Sequence, residues 1–244
     1  MHHRDTHPSK SPVHAVEPLE PRTFLDAVLG KDGIVRVTGT RKADTIFVQY
    51  GPDSLDTIFV RVNKEQFAFR SDEVNGVRIQ AGALNDHVEF QGFATNPELY
   101  DKPATIYGST GDDFILGPGW TSRIYGGTGN DKISAGFSRD TVYGEEGNDT
   151  IDGGQGNDYL SGGLDDDHIT GGFGIDKMFG DDGRDTFVGN NDRPEQRVTF
   201  VDPFADQFPP QPTFDLIDGG AGRDRATADS VDRLISIEER FISR

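Results

Sequence analysis

The chain has 244 residues, no cysteine and a net charge of −18 at pH 7. This length allows one or two domains, and the lack of cysteine excludes disulfide bonds and thiolate zinc sites. Because the phosphates of nucleic acids repel so acidic a protein, we expect no nucleic-acid partner. No apolar run reaches the length of a membrane span, and the first ten residues lack the apolar core of a cleaved secretory signal.

Residues 1 to 32 are predicted to form a disordered tail, because they hold four prolines and little apolar material before Phe24. Four histidines also lie in this tail, and a metal-binding tail is the less favoured interpretation. The segment LEPRTFL, which begins at Leu19, is similar to the short LEPR-x-L-L signature near the N-termini of some bacterial surface proteins. Here Phe24 replaces the first leucine of the final pair.

Residues 33 to 107 are predicted to form β-strands, as hairpins or early coils that cap the region that follows. Their segments alternate apolar and polar residues and are rich in β-branched and aromatic types. Two of them resemble eroded copies of the nine-residue unit described next, with Asp44 and Asp86 at position six. Ala81 is even in numerical phase with Gly108, but Pro97 falls on an apolar position between them. We therefore expect the phase to be lost in space.

Residues 108 to 188 divide into nine consecutive units of nine residues with the pattern G-G-x-G-x-D-x-U-x, where U is large and apolar. The copies at Gly126, Gly153 and Gly171 are nearly unmodified, whereas those at Gly117 and Ala135 are degenerate. An apolar residue at every ninth position cannot line a helix with 3.6 residues per turn. It can line a short strand whose middle side chain points inward. The pattern therefore predicts a solenoid in which positions one to six form a turn and positions seven to nine a strand.

Two units make one coil, so turns that are 18 residues apart stack into two columns. The first column carries these aspartates at position six: Asp113, Asp131, Asp149, Asp167 and Asp185. The second column carries Ser122 and then these aspartates: Asp140, Asp158 and Asp176. Glycines at positions one, two and four allow the tight turn, and with the aspartates they form the predicted metal site: Gly108, Gly111, Gly126, Gly127, Gly129, Gly144, Gly147, Gly153, Gly154, Gly156, Gly162, Gly163, Gly171, Gly172, Gly174, Gly180 and Gly183.

Calcium is the cation that suits such columns. Stacked strands lie roughly 4.8 Å apart, so an ion between two layers is about 2.4 Å from each, which matches Ca–O distances and is long for Mg–O. Aspartate carboxylates and turn carbonyls supply hard oxygen ligands. Four gaps in the first column and two in the second give at most about six ions. The units hold 16 acidic and five basic residues, so we predict that they are loose without calcium and fold with it.

The unit resembles the calcium-binding nonapeptide repeat of the RTX, or hemolysin-type, family, and the resemblance covers about a third of the chain. It implies an all-β fold, a parallel β-roll with several structural Ca²⁺ ions as its cofactors. The family is commonly exported by a one-step system that reads an uncleaved C-terminal signal. The resemblance therefore implies a secreted, extracellular or cell-surface protein, and the millimolar calcium found there fills even weak sites.

The rest of the chain is predicted to close the roll. Residues 189 to 212 contain five prolines and are predicted to form a loop over apolar surface, with a helical phenylalanine stripe as the alternative. Residues 213 to 244 contain a last unit from Gly219, with Asp224 at position six and Ala226 at position eight. The final segment is predicted to be a C-terminal cap, made of two short strands or of an amphipathic helix.

No catalytic motif of a zinc protease, a lipase or a nucleotide-binding enzyme occurs. We interpret His168 as a surface residue and Trp120 as a side chain that covers the degenerate turns. Threonine occupies position three only at Thr110 and Thr128, so there is no ordered ice-binding row. The hypothesis is a secreted calcium-binding β-roll without catalytic activity. The alternatives are a hydrolytic enzyme or adhesin that acts through the N-terminal strands or the 189–212 loop, and an accessory module of a larger exported protein. The protein or glycan partner stays open.

Overall fold

The computed structural model describes residues 26–50, 57–91, 102–190, 216–221, 225–228, 233–235 and 239–242. These residues form two β-sheets and one short 3₁₀ helix, Ser71–Glu73. Sheet A contains, in spatial order, β1 (Asp26–Leu29), β2 (Ile34–Thr38), β6 (Gly76–Ala83), β8 (Ala104–Thr110), β10 (Ser122–Thr128), β12 (Thr141–Glu146), β14 (Tyr159–Leu164), β16 (Lys177–Asp182), β18 (Leu216–Asp218) and β20 (Arg233–Ile235). Sheet B contains, in spatial order, β21 (Glu239–Ile242), β19 (Arg225–Ala228), β17 (Thr186–Asn190), β15 (His168–Gly172), β13 (Thr150–Gly154), β11 (Lys132–Gly136), β9 (Phe114–Leu116), β7 (His87–Gln91), β3 (Thr45–Tyr50), β4 (Thr57–Val62) and β5 (Glu65–Arg70).

The nine-residue units form a parallel β-roll, as their pattern predicts. Successive strands alternate between the two sheets, and each strand pairs in parallel with the strand of the next coil. Within the units the partners are 18 residues apart: Ile124 lies beside Val142, and Ile133 lies beside Ile151. The chain is thus an all-β protein with a calcium-repeat roll at its centre and a strand-rich N-terminal region.

The N-terminal strands continue the coils of the roll, and the expected loss of phase is wrong. Strand β6 pairs in parallel with β8 so that Ile79 lies beside Ile106, and Gln80 and Gly82 pair with Tyr107 and Ser109. Ala81 therefore stacks on Gly108, 27 residues later, as their sequence phase implies. The residues between β7 and β8, including Pro97, add nine positions to the coil without shifting the register on either side.

Antiparallel strands lie at the N-terminal end of both sheets. β1 pairs antiparallel with β2, and the β4–β5 hairpin adds two antiparallel strands beside β3. β1 falls within residues 1–32, which were predicted to be disordered. That prediction is wrong for β1, because the buried side chain of Ala27 joins the core and its strand pairs along Val35–Thr38. The remainder of the predicted tail, residues 1–25, lies outside the described residues.

The core is a single layer of apolar side chains between the sheets. Position eight of each unit points inward, as predicted, and every one of these side chains is at most 1% exposed: Ile115, Ile124, Ile133, Val142, Ile151, Leu160, Ile169, Met178 and Phe187. The outer face of sheet A carries a stack of aromatic rings, in which the Tyr107 and Tyr125 centroids lie 4.9 Å apart and those of Tyr125 and Tyr143 lie 5.2 Å apart. Cross-strand aromatic pairs of this kind stabilise neighbouring strands.

The C-terminal strands extend the same two sheets. Ile217 pairs with Met178 and Ala226 with Phe187, each 39 residues later, so the last unit rejoins the roll after a long insertion. Of the two predictions for the final segment, the strands β20 and β21 are confirmed. Gly189 and Asn190 end β17, whereas residues 191–212 of the predicted loop, and also Asp224, lie outside the described residues. In the described part of the chain, no helix has the length and apolar character needed to cross a bilayer.

Candidate calcium site

The position-six aspartates form two buried ladders. In the first column the backbone N–H of each aspartate donates to Oδ1 of the aspartate one coil later, as in the 2.7 Å bonds from Asp113 to Asp131 and from Asp131 to Asp149. In the second column Asp140 donates to Asp158 at 2.8 Å. None of the eight predicted aspartates is more than 3% exposed. The turns thus place these carboxylates in line along the roll, one per coil and column.

The second oxygen of these carboxylates has no hydrogen-bond partner. The atom is buried and unbonded in the following residues: Asp113, Asp131, Asp140, Asp149, Asp158 and Asp167. A buried carboxylate oxygen that accepts no hydrogen bond is costly unless a proton or a cation neutralises it. The unbonded oxygens are therefore the atoms at which the column has an unmet need for positive charge.

Glycine at position one leaves room beside that oxygen. A Cβ at Gly126 would lie 2.3 Å from Oδ2 of Asp131, and a Cβ at Gly144 would lie 2.2 Å from Oδ2 of Asp149. The same contact, at 2.8 Å or less, involves the other predicted position-one glycines: Gly108, Gly153, Gly162, Gly171 and Gly180. Because real Cβ atoms do not approach an oxygen so closely, these glycines are required by the carboxylate itself.

Positions two and four need a left-handed backbone. At position two this conformation is adopted by Gly127, Gly154, Gly163 and Gly172, and at position four by Gly111, Gly129, Gly147, Gly156 and Gly174. Their turns bring backbone carbonyls against the next coil: a Cβ at Gly129 would lie 2.3 Å from the carbonyl oxygen of Gly111. Gly183 differs, because its φ is not positive, yet a Cβ there would still meet the Asp165 carbonyl oxygen at 1.9 Å.

Burial raises the pKa of the aspartates in the metal-free chain. The pKa rises to about 6 for Asp113, to about 7 for Asp131 and Asp149, and to about 8 for Asp167. In the second column the pKa of Asp158 rises to about 8. Desolvation is the main cause, and the charges of neighbouring acids add to it, whereas the backbone N–H of the preceding coil lowers the pKa. At neutral pH each column therefore favours binding of a cation, either protons or a metal ion.

The residues present fit calcium. In the described part of the chain no three acidic or histidine side chains converge on one point. A cation here would therefore be held by pairs of carboxylates from consecutive coils together with turn carbonyls. Such a set contains only hard oxygen ligands, which is the chemistry of calcium and not of zinc or copper. The assignment of each aspartate and glycine as a ligand stays a prediction.

A second ladder lies at position five and was missed by the sequence analysis. Here the direction is reversed, because each backbone N–H donates to the side chain one coil earlier: Asn130 to Asp112 at 2.8 Å and Asn148 to Asn130 at 2.9 Å. The ladder continues through Asp166 to Arg184, whose guanidinium pairs with the Asp166 carboxylate at 2.5 Å. The recurrence of Asn or Asp at position five in this column is the sequence signal for it.

The second column begins differently from the first. The Ser122 hydroxyl and backbone N–H both donate to Oδ1 of Asp140, at 2.8 and 2.6 Å. Trp120 is 2% exposed and contacts Phe90 edge-to-face, with ring centroids 5.8 Å apart. Trp120 thus covers the degenerate turns, as interpreted from the sequence, and His168 is exposed, as expected.

The comparison with protein families agrees with this geometry. Four stretches, residues 105–117, 125–160, 161–193 and 214–230, match the family model of the RTX calcium-binding nonapeptide repeat. The predicted resemblance is confirmed: the chain carries RTX calcium-binding repeats, and they form a β-roll. No curated protein and no solved structure matches the chain.

Proposed function

We propose that this chain, which carries RTX calcium-binding repeats, is a secreted or cell-surface β-roll in which calcium drives folding. The observation that carries the proposal is the unbonded, buried Oδ2 atom that recurs from coil to coil. A stack of buried carboxylates is unstable by itself and is stabilised by any cation that the folded state binds and the unfolded chain does not. Calcium is then a structural clamp between coils, with up to about six ions, four in the first column and two in the second.

Export to a calcium-rich compartment follows from this role. A protein whose fold depends on weak calcium sites stays loose where calcium is scarce and folds where it reaches millimolar levels. The absence of cysteine and the net charge of −18 suit a chain that is held together by cations and not by disulfides. In this proposal the roll performs no catalysis, and the protein or glycan that it contacts is open.

An adhesin role is the second candidate, and a surface depression on the N-terminal strands favours it. The depression has a volume of about 220 Å³ and lies on sheet B, where it is lined by Phe47, Gln49, Phe59, Arg61, Gln66 and Gln91. Aromatic rings, amides and one guanidinium suit recognition of a small polar ligand. The lining contains no carboxylate, imidazole or hydroxyl group that would act as acid, base or nucleophile, so it supports binding better than hydrolysis.

Replacement of one ligand aspartate tests the calcium role. Asp149→Ala removes a carboxylate from the middle of the first column, and we expect calcium affinity and β-structure to be lost together, measured by calorimetry and far-UV circular dichroism. Glu146→Ala is the matched control, because it removes one negative charge from an exposed position of the same unit. If Asp149→Ala binds calcium and folds like the control, the structural role of the column is wrong.

A further inference from the structure

We propose one additional calcium site, between the turns 81–86 and 108–113, with the carboxylates of Asp86 and Asp113 as ligands. The proposal rests on the calcium-binding function proposed above. The first stretch of the chain that matches the RTX repeat begins at residue 105, so the match does not reach the turn 81–86. The site would add a fifth gap to the four of the first column.

The turn 81–86 has the backbone of a repeat turn without its sequence. Gly82 at position two has φ 123°, and Leu84 at position four has φ 67°. The next turn of the column has the same left-handed pair, at Ser109 (φ 87°) and Gly111 (φ 121°). A leucine in this region is a genuine outlier that persists only where the surroundings impose it. The stack therefore imposes the geometry of a cation-binding turn on a segment that lacks the glycine pattern.

The carboxylate of Asp86 is in the same state as those inside the roll. Asp86 is 3% exposed, and its Oδ1 accepts the backbone N–H of Asp44 at 2.7 Å. Its own N–H donates to Oδ1 of Asp113 at 2.7 Å, which is the bond that links Asp113 to Asp131. Oδ2 of Asp86 is buried and has no hydrogen-bond partner. The unmet need for positive charge thus continues one coil beyond the repeat.

Position one of this turn is Ala81 and not glycine, but a methyl group is tolerated there. Ala135 occupies the same position in the second column, in the unit that contains Asp140. Both alanines are fully buried. The Oδ2 atoms of Asp86 and Asp140 are nevertheless unbonded like those beside glycine.

The column ends at Asp44, because both oxygens of that carboxylate have partners. Oδ1 of Asp44 accepts the side-chain amide of Asn63 at 2.7 Å, and Oδ2 accepts the backbone N–H of Thr40. Asn63 lies in the turn between β4 and β5, with φ 55°, and its Oδ1 accepts the N–H of Thr45 at 2.9 Å. No residue of the turn 39–44 has a positive φ. An amide of the hairpin, and not an ion, thus closes the first column.

The number of ions bound by the full chain tests this site. Equilibrium dialysis with calcium should give one ion fewer for Asp86→Asn than for the unmodified protein. The substitution keeps the shape of the side chain and an oxygen for the Asp44 N–H. The control Asp44→Asn should lower stability but leave the number of ions unchanged. An unchanged number in Asp86→Asn overturns the site.

A second measurement needs no variant. In crystals of the unmodified protein grown with calcium, anomalous density should lie between the carboxylates of Asp86 and Asp113. Density in the first column only beyond Asp113, toward the C-terminus, overturns the site. If the unmodified protein binds no calcium at all, the proposed function fails, which is a different result from a missing ion at Asp86.

Discussion

The two columns of turns arise from the same nine-residue unit but differ in length and in strain. The first column has five aspartates within the units and continues to Asp86 and Asp44, whereas the second begins at Ser122 and has three. Within the units, every left-handed residue other than glycine lies in the first column: Ser109, Glu145, Asp165 and Asp181. The longer ladder thus coincides with poorer turn residues. This difference teaches that the aligned aspartates dictate the turn, and that glycine makes the turn easier.

The largest expected effect comes from interrupting each column. Asp131 lies between two aspartates, Asp113 and Asp149, whereas Asp140 lies between Ser122 and Asp158. Asp131→Ala should therefore remove two ions and Asp140→Ala only one, as counted by equilibrium dialysis. At calcium concentrations about 100 times the dissociation constant each ion contributes about 2.7 kcal/mol, so the losses should be about 5 and about 3 kcal/mol in denaturant unfolding. Equal losses would show that the columns are not chains of paired sites.

Acid should replace calcium in both columns. Burial raises the folded-state pKa of Asp167 in the first column and of Asp158 in the second to about 8, above about 3.9 in an unfolded chain. Protons therefore bind the folded state more tightly, and the stability they add is full below pH of about 4 and is lost as the pH rises to about 8.

We expect a chelated sample to gain β-structure in far-UV circular dichroism as the pH falls from 8 toward 5, and calcium affinity to fall over the same range. The two columns should respond together, since acid acts on both. If the chelated protein instead loses β-structure between pH 8 and pH 5, the carboxylates are not the groups that oppose folding.

The smallest effect concerns strain in the first column. Glu145 adopts φ 82° at position two, and its charge raises the pKa of Asp149 after burial, which is the main cause. Because a left-handed residue other than glycine costs roughly 1 kcal/mol, Glu145→Gly should stabilise the calcium-bound protein by about 1 kcal/mol in denaturant unfolding. Glu146→Gly is the control, since its φ is not positive and glycine there should not stabilise. A stabilisation of equal size in both variants would assign the effect to charge alone.

The sequence predicts the parts of the fold that repeat at a fixed interval. Ile133 and Asp131 recur in register from coil to coil because the coil length is constant at 18 residues, so counting along the chain gives their positions in space. Counting fails where a coil carries an insertion. Ala81 keeps its place above Gly108 although Pro97 breaks the pattern, because the added residues do not shift the strands on either side.

The N-terminal end of the first column is not predictable from the sequence pattern. Asn63 has no special position in any repeat, and its contact with Asp44 depends on how the β4–β5 hairpin folds back onto β3. Asp86 has the position of a ligand but lacks the surrounding glycines, so only the geometry of its turn and its unbonded oxygen reveal it. In both cases the deciding contact joins residues that no regular spacing relates.

The most direct test of the account is a calcium titration of the metal-free protein followed by far-UV circular dichroism, with magnesium as the control. The account predicts a weak β-signal in chelator and a cooperative gain with calcium that magnesium does not produce, because magnesium requires shorter bonds and a strict octahedron. A full β-signal in chelator that calcium leaves unchanged would contradict the account, since the sheets and caps would then hold the roll without any cation.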